Sequence, residues 1–183
     1  MDIDSDVIER TVEKFCSTRI LPYSDAIDFN NSFPNELWVE MGNMGLLGIT
    51  APIEFGGIGS NYSTHAKIMQ QISYASASIG LSYAAHSNLC VNQIAVHASK
   101  KLQDKCLSDL INGNAIGALA MSEPHSGSDA LSMKLTARLE NNHYILNGEK
   151  WWISGAGDPR CALYILMANT APEAAKHSRH TMF

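Results

Sequence analysis

The sequence predicts an α+β chain: an all-helical N-terminal domain over residues 1–113, followed by an incomplete, barrel-like β domain over residues 114–183. Two observations carry this reading. Apolar residues recur at helical spacing as far as Asn112, and at a period of two after Asn114. The two patterns are segregated along the chain, which argues against alternating βαβ units. With 183 residues, 45% of them hydrophobic, the chain can bury a core divided between two small domains.

The elements follow in order. Ile8, Val12 and Phe15 share one face and mark a first helix. Pro22 and Pro34 punctuate. Leu37, Met41 and Met44 form the stripe of a helix that Pro34 opens, and Gly42 and Gly45 weaken its end. APIEFGGIGSN (51–61) reads as a loop. Ser63 is the expected cap of the next helix, and Gly80 an expected interruption. The apolar stretch on to His97 carries His86, Asn88, Asn92 and Gln93, so it predicts a buried helix and not a membrane span. Ser99 is expected to cap a helix with Leu102, Cys106 and Leu110 inward, ended by Gly113 in a left-handed conformation.

AIGALAMS (115–122) is a short apolar run that predicts a buried strand. In MKLTARLE (133–140), Leu135, Ala137 and Leu139 alternate with polar residues, so the strand is half-buried. Asn141 and Asn142 tolerate positive φ and predict a tight hairpin into HYILNG. KWWIS (150–154) and ALYILMA (162–168) predict two more strands. Four or five strands followed by NTAPEAAKHSRHTMF leave sheet edges unpaired, which leads us to expect a shortened chain.

Composition excludes several classes. The net charge is −5, and no stretch concentrates Lys or Arg, so nucleic acid is not an expected partner. Cys16, Cys90, Cys106 and Cys161 lie far apart without metal spacing and read as reduced thiols. His177 and His180 lack a third ligand, so no metal is expected. GGIGS has no following Lys, and no GxSxG is present. The start, MDIDSDVIER, is no presequence.

One segment points to chemistry. AMSEPHSGSD (120–129) offers the hydroxyls of Ser122, Ser126 and Ser128, with Gly127 freeing the backbone. It reads either as an ordinary connection in which Glu123 and Asp129 bond their own turn, or as a cradle for a phosphate or an electron-rich ring edge. Strand alternation at Trp151 and Trp152 would turn one indole to the core and leave the other as a flat aromatic surface. An indole beside hydroxyl and amide donors suits a planar polar heterocycle. His86 reads as a hydrogen-bonded interior histidine, and His125 as a surface residue.

ALAMSEPHSGSD with LNGEKWWIS resembles the flavin-dependent acyl-CoA dehydrogenase family. GLSYAAHSNLCVNQI and GALAMSEP resemble its isovaleryl-CoA branch, while GAGDPRC resembles a larger subgroup in which a kinase-like domain can precede the dehydrogenase. The resemblance implies a helical domain, a middle β domain and a C-terminal four-helix bundle, the last absent from this chain. It implies FAD as cofactor, α,β-dehydrogenation of a short or branched acyl-CoA, and electron-transfer flavoprotein as electron acceptor. It also implies a homo-oligomer and the mitochondrial matrix.

On the matching positions, Leu119, Ala120, Met121, Ser122, Gly127 and Ser128 would wrap the flavin edge and phosphates. Trp152 and Ile153 would lie against the ring with Ser154 near N5, and Ser128 would also reach the CoA portion. Ser82 and His86 would fall near the acyl cavity. The family's glutamate base belongs to the bundle, so no catalytic residue is assigned here. Glu123 and Asp129 are expected to be scaffold. A non-catalytic acyl-CoA- or flavin-binding or interaction module, and an acyl-CoA oxidase, remain as alternatives.

Overall fold

The computed structural model describes residues 5–183, which separate into a helical unit ending at Ile116 and a strand unit, Gly117–Phe183. The helical unit contains α1 (Ser5–Phe15), α2 (Ser24–Asn30), α3 (Glu36–Asn43), α4 (Tyr62–Ala75), α5 (Ala77–His86), α6 (Gln93–His97) and α7 (Lys100–Ile111). A π-helical segment, Ser87–Asn92, joins α5 to α6. The core draws Val12 and Phe15 from α1, Leu37 and Met41 from α3, Ile68 and Ile72 from α4, and Ile79 and Tyr83 from α5. Each such buried side chain stabilises the fold by about 1.5–3 kcal/mol.

Several boundaries differ from the sequence reading. Pro34 stands before α3: its carbonyl accepts from Leu37 N at 3.0 Å, and Asn35 is the flanking residue. Asn61, not Ser63, caps α4, accepting from Thr64 N at 3.0 Å. Gly80 interrupts nothing. The break comes at Ser76, whose extended backbone ends α4 and whose hydroxyl accepts from Ile79 N at the start of α5. Gly80 is instead where α5 meets α4, since a Cβ there would lie 2.1 Å from Ser73 Oγ. Ser99 does cap α7, and Gly113 (φ +72) does follow its end in the left-handed region. The inner face of α7 is Leu107, Leu110 and Ile111, while Leu102 is exposed and Cys106 half-buried.

The strand unit is an open sheet of β1 (Ile116–Ala120), β2 (Thr136–Glu140), β3 (His143–Asn147), β4 (Cys161–Asn169) and β5 (His180–Met182). The order is β1-β4-β2-β3, with β5 also paired to β4. Asn141 (φ 47) and Asn142 (φ 64) join β2 to β3, and Glu140 pairs with His143. Two successive positive φ values match the right-handed twist of a hairpin. β2 meets β4 in parallel at Thr136 and Asn169. Leu135, Ala137 and Ala168 form a small core with Leu166 and Phe183 against it. Leu139 was expected inward but is exposed, as is every residue of β3.

KWWIS is not a strand. Its backbone is irregular, Gly148 has φ +140 and Trp152 has φ +58, so strict alternation of side chains fails. Neither indole enters a core: Trp151 is 46% exposed and Trp152 87%. Among the described residues no helix is long and apolar enough to cross a membrane, and no His/Cys/Asp/Glu cluster suits a metal.

Candidate functional site

The serine-rich loop leaves β1 at Met121 and folds on itself at once. Glu123 N donates to Ser126 O at 2.8 Å, and Ser126 N donates back to Glu123 O at 3.1 Å, closing a turn over Pro124 and His125. Ser126 is buried and its hydroxyl donates to Asp129 O at 2.7 Å. The Glu123 carboxylate does not bond this turn. It accepts from Lys134 N at 2.6 Å and Leu135 N at 2.9 Å, where the chain enters β2.

Lys150 completes the arrangement. Its ammonium donates to Glu123 Oε1 at 3.0 Å and to Met121 O at 2.8 Å. Both side chains of the pair are only 6% exposed. Burial by itself would raise the Glu123 pKa. The N–H groups of Lys134 and Leu135, with the Lys150 cation, outweigh burial and hold the carboxyl below its usual range.

Beyond Lys150, Trp151 N donates to Ser122 O at 2.9 Å. The loop and the tryptophan segment are therefore bonded backbone to backbone. The two indoles meet edge-on, 5.9 Å between centroids. Trp152 thus offers an exposed aromatic surface in the segment bonded to the start of the loop. The hydroxyls of Ser122, Ser128 and Ser154 and the Trp152 indole N–H make no hydrogen bond to a described residue, so they are uncommitted donors.

The remaining candidate residues fall as follows. Leu119 and Ala120 end β1, Leu119 half-buried and Ala120 buried. Met121 and Ser122 are half-buried where the loop begins, and Gly127 and Ser128 are exposed at its tip with His125. A Cβ at Gly127 would meet nothing within 4 Å, so space does not demand glycine there. Ile153 is half-buried, and its carbonyl accepts from Ala156 N in a turn that includes Ser154.

Ser82 and His86 belong to the helical unit. Ser82 bonds back to Ser78 O at 3.0 Å. His86 is 1% exposed, with Nε2 2.9 Å from Leu110 O and its ring edge-on to Trp38. It ties α5 to α7 as an interior histidine and presents no surface to a ligand. Asp129 is an exposed carboxylate bonded to Ser132 and near Lys176. Sequence reasoning missed the Glu123–Lys150 pair, because residues far apart in different elements share no period.

The N-terminal-domain model of the acyl-CoA dehydrogenases matches residues 4–114, and their middle-domain model matches residues 118–183. This chain belongs to the acyl-CoA dehydrogenase family. The helical unit followed by a sheet is the order that family membership implies.

Among acyl-CoA dehydrogenases, the chain is 47% identical over 174 residues to the mitochondrial isovaleryl-CoA dehydrogenase of Pongo abelii, covering 94% of this chain and 41% of that protein. It superposes on the glutaryl-coenzyme A dehydrogenase glutaryl-CoA complex with a TM-score of 0.91 at 28% identity, over 100% of this chain and 47% of that one. The acyl-CoA dehydrogenase complexed with FAD from Bacillus anthracis matches at 33% identity and a TM-score of 0.83, over 92% of this chain and 29% of that one. The chain spans about two-fifths of the length of the curated relatives it matches.

Proposed function

We propose that this chain carries the helical acyl-CoA dehydrogenase domain (1–113) and part of the flavin-binding middle domain (114–183) of an FAD-dependent dehydrogenase of short or branched acyl-CoA. Isovaleryl-CoA is the leading substrate, on the 47% identity to an isovaleryl-CoA dehydrogenase. The observation that carries the flavin assignment is the bond from Trp151 N to Ser122 O, which joins an exposed indole to a loop of uncommitted donors. That donor set fits FAD: a flat apolar face for a tricyclic ring, N–H and O–H groups for its polar edge, and serines for its phosphates.

In this reading the backbone of Leu119 to Ser122 and the Ser122 hydroxyl hold the pyrimidine edge. Gly127 and Ser128 approach the phosphates, and Ser128 also the CoA portion. Trp152 and Ile153 cover the ring, with Ser154 near its reactive nitrogen. Ser82 is the helical-unit residue that the family resemblance assigns to the acyl chain, and His86 supports its helix from inside. Bound FAD supplies the acceptor for the hydride leaving the β-carbon. Donors aimed at the ring edge stabilise the negative charge that develops there. No base for the α-proton is assigned in these 183 residues. Glu123 is occupied by two backbone N–H groups and Lys150, and Asp129 is bound to Ser132. We therefore infer that the 183 residues alone bind FAD but do not turn over. The acting protein passes electrons to electron-transfer flavoprotein, as a homo-oligomer in the mitochondrial matrix.

Titration of the purified chain with FAD tests this, read by indole emission and by the visible flavin band. Saturable quenching with a shifted band is expected, and Trp152→Ala should abolish both. An unchanged flavin spectrum, or equal affinity in Trp152→Ala, overturns the site. Isovaleryl-CoA-dependent dye reduction by these 183 residues overturns the inference that they do not turn over.

A further inference from the structure

We infer that Lys150 is a positioning and tuning residue for the proposed flavin site, acting through the peptide bond between Met121 and Ser122. The inference rests on the flavin reading above. Its basis is a three-way convergence on one nitrogen. Lys150 Nζ donates to Met121 O at 2.8 Å and to Glu123 Oε1 at 3.0 Å, and lies 3.8 Å from Met133 Sδ. The ammonium has three donors, and three acceptors lie within its reach.

The contact with Met121 O has an electronic consequence. A cation on a carbonyl oxygen polarises the whole amide, so the N–H at the other end of that peptide, Ser122 N–H, becomes a stronger donor. Trp151 N acts on the next carbonyl in the same way, donating to Ser122 O at 2.9 Å. Of the backbone assigned to the flavin edge, the carbonyls of Met121 and Ser122 are thus polarised; the first strengthens the Ser122 N–H, while the second strengthens the Glu123 N–H that closes the turn on Ser126 O. Burial makes the interaction stronger than it would be in water, since the pair is 6% exposed. Glu123 keeps the buried cation compensated.

The pair also has a fixed polarity. Glu123 must accept from Lys134 N and Leu135 N as well as from Lys150. A lysine at 123 could accept from neither. Arg at 150 would keep the charge but not three bonds from one nitrogen, because its donors are spread over a plane.

The test compares wild type, E123Q, K150M, K150R, E123K/K150E and E123Q/K150M. K150M leaves Glu123 buried without its cation, so E123Q/K150M, which removes both charges but keeps one oxygen for the two backbone N–H groups, is the deciding variant, read against E123Q alone, which loses the same acceptor and keeps Lys150. We expect E123Q/K150M to melt as a folded protein and to bind FAD at least ten-fold more weakly. The reduction potential of its bound flavin should move to more negative values, and its Trp151 amide should exchange faster even without FAD. K150R and E123K/K150E should fail to restore the potential. Wild-type FAD affinity and potential in E123Q/K150M overturn the inference, as does full rescue by the charge swap. If wild type binds no FAD, the flavin reading itself fails. The positioning role is then judged by Trp151 exchange, and unchanged exchange in E123Q/K150M overturns it.

Discussion

Trp151 donates its backbone N–H to the carbonyl of Ser122 at 2.9 Å, and the next residue, Trp152, has φ +58 with 87% of its surface exposed. The indole of Trp152 is therefore held out on a left-handed backbone with no core to stabilise it. A non-glycine residue in that region costs about 1 kcal/mol. Glycine would relieve this cost but would gain about 0.5–1 kcal/mol of freedom in the unfolded chain. Trp152→Gly should consequently leave the urea midpoint nearly unchanged, with a stability change within about 0.5 kcal/mol. FAD binding should be lost in the same variant. A large drop in stability would mean that Trp152 serves packing, against its exposure.

His65 makes the helical unit acid-sensitive. Its ring stacks on Tyr83 with centroids 5.3 Å apart, and Nε2 lies 2.9 Å from Ser87 Oγ. The Ser87 hydroxyl donates to Tyr83 O at 2.7 Å, so Nε2 carries the proton and donates to Ser87. Burial lowers the His65 pKa below its ordinary 6.5. The folded protein thus binds this proton less readily than the unfolded chain. The stabilisation is fully present above about pH 6.5 and is lost as pH falls from there toward the folded value. His65→Gln should cost about 1–3 kcal/mol near neutral pH, from the lost stack and hydrogen bond. The gap between the two proteins in urea midpoint should shrink as pH is lowered through that window. A gap that widens on acidification would contradict the assignment.

Much of the helix-to-strand layout was legible because it depends on local rules. The period changes after Asn114, Ser99 caps, Gly113 terminates, and Asn141 and Asn142 turn the chain, each from the chemistry of one or two residues. The errors came where a partner from another element decided the outcome. Gly80 reads as a breaker until α4 is placed against it. Trp151 and Trp152 alternate on paper, but Lys150 is drawn into a buried ion pair and the following backbone turns left-handed. In the candidate site, the serines and indoles were visible as residue types. The Glu123–Lys150 pair that organises them was not, because 27 residues and a hairpin separate its partners.

Gly80 supplies a direct test of how closely α4 and α5 pack. A Cβ at this position would lie 2.1 Å from Ser73 Oγ and 2.8 Å from Ser73 Cα. The hydroxyl can rotate away but the Cα cannot. Overpacking of this kind costs about 1–3 kcal/mol. Alanine's better helix propensity offsets up to about 1 kcal/mol of that. With the full offset, Gly80→Ala should destabilise the protein in urea by up to about 2 kcal/mol. Ser73→Ala should not rescue it, since the backbone contact persists. Full rescue by Ser73→Ala would show that the hydroxyl alone sets the helix separation.

The hairpin between β2 and β3 should respond in the opposite sense. Asn141 and Asn142 both hold positive φ, at 47 and 64, and the register places Glu140 opposite His143. Asparagine tolerates this region, but glycine at the second turn position is the preferred residue for a two-residue hairpin loop. Asn142→Gly should therefore stabilise the strand unit by up to about 0.5–1 kcal/mol, while Asn142→Val should destabilise it by about 1–2 kcal/mol, because a β-branched residue is excluded from the left-handed region. No residue of β3 is buried, and apart from the edge-on contact of Tyr144 with Phe183 it is the hydrogen bonds to β2 that hold the strand. The amides of β3 are the right probe: their exchange should slow in Asn142→Gly and quicken in Asn142→Val. Exchange that ignores both substitutions would show that the turn does not set the strength of this pairing.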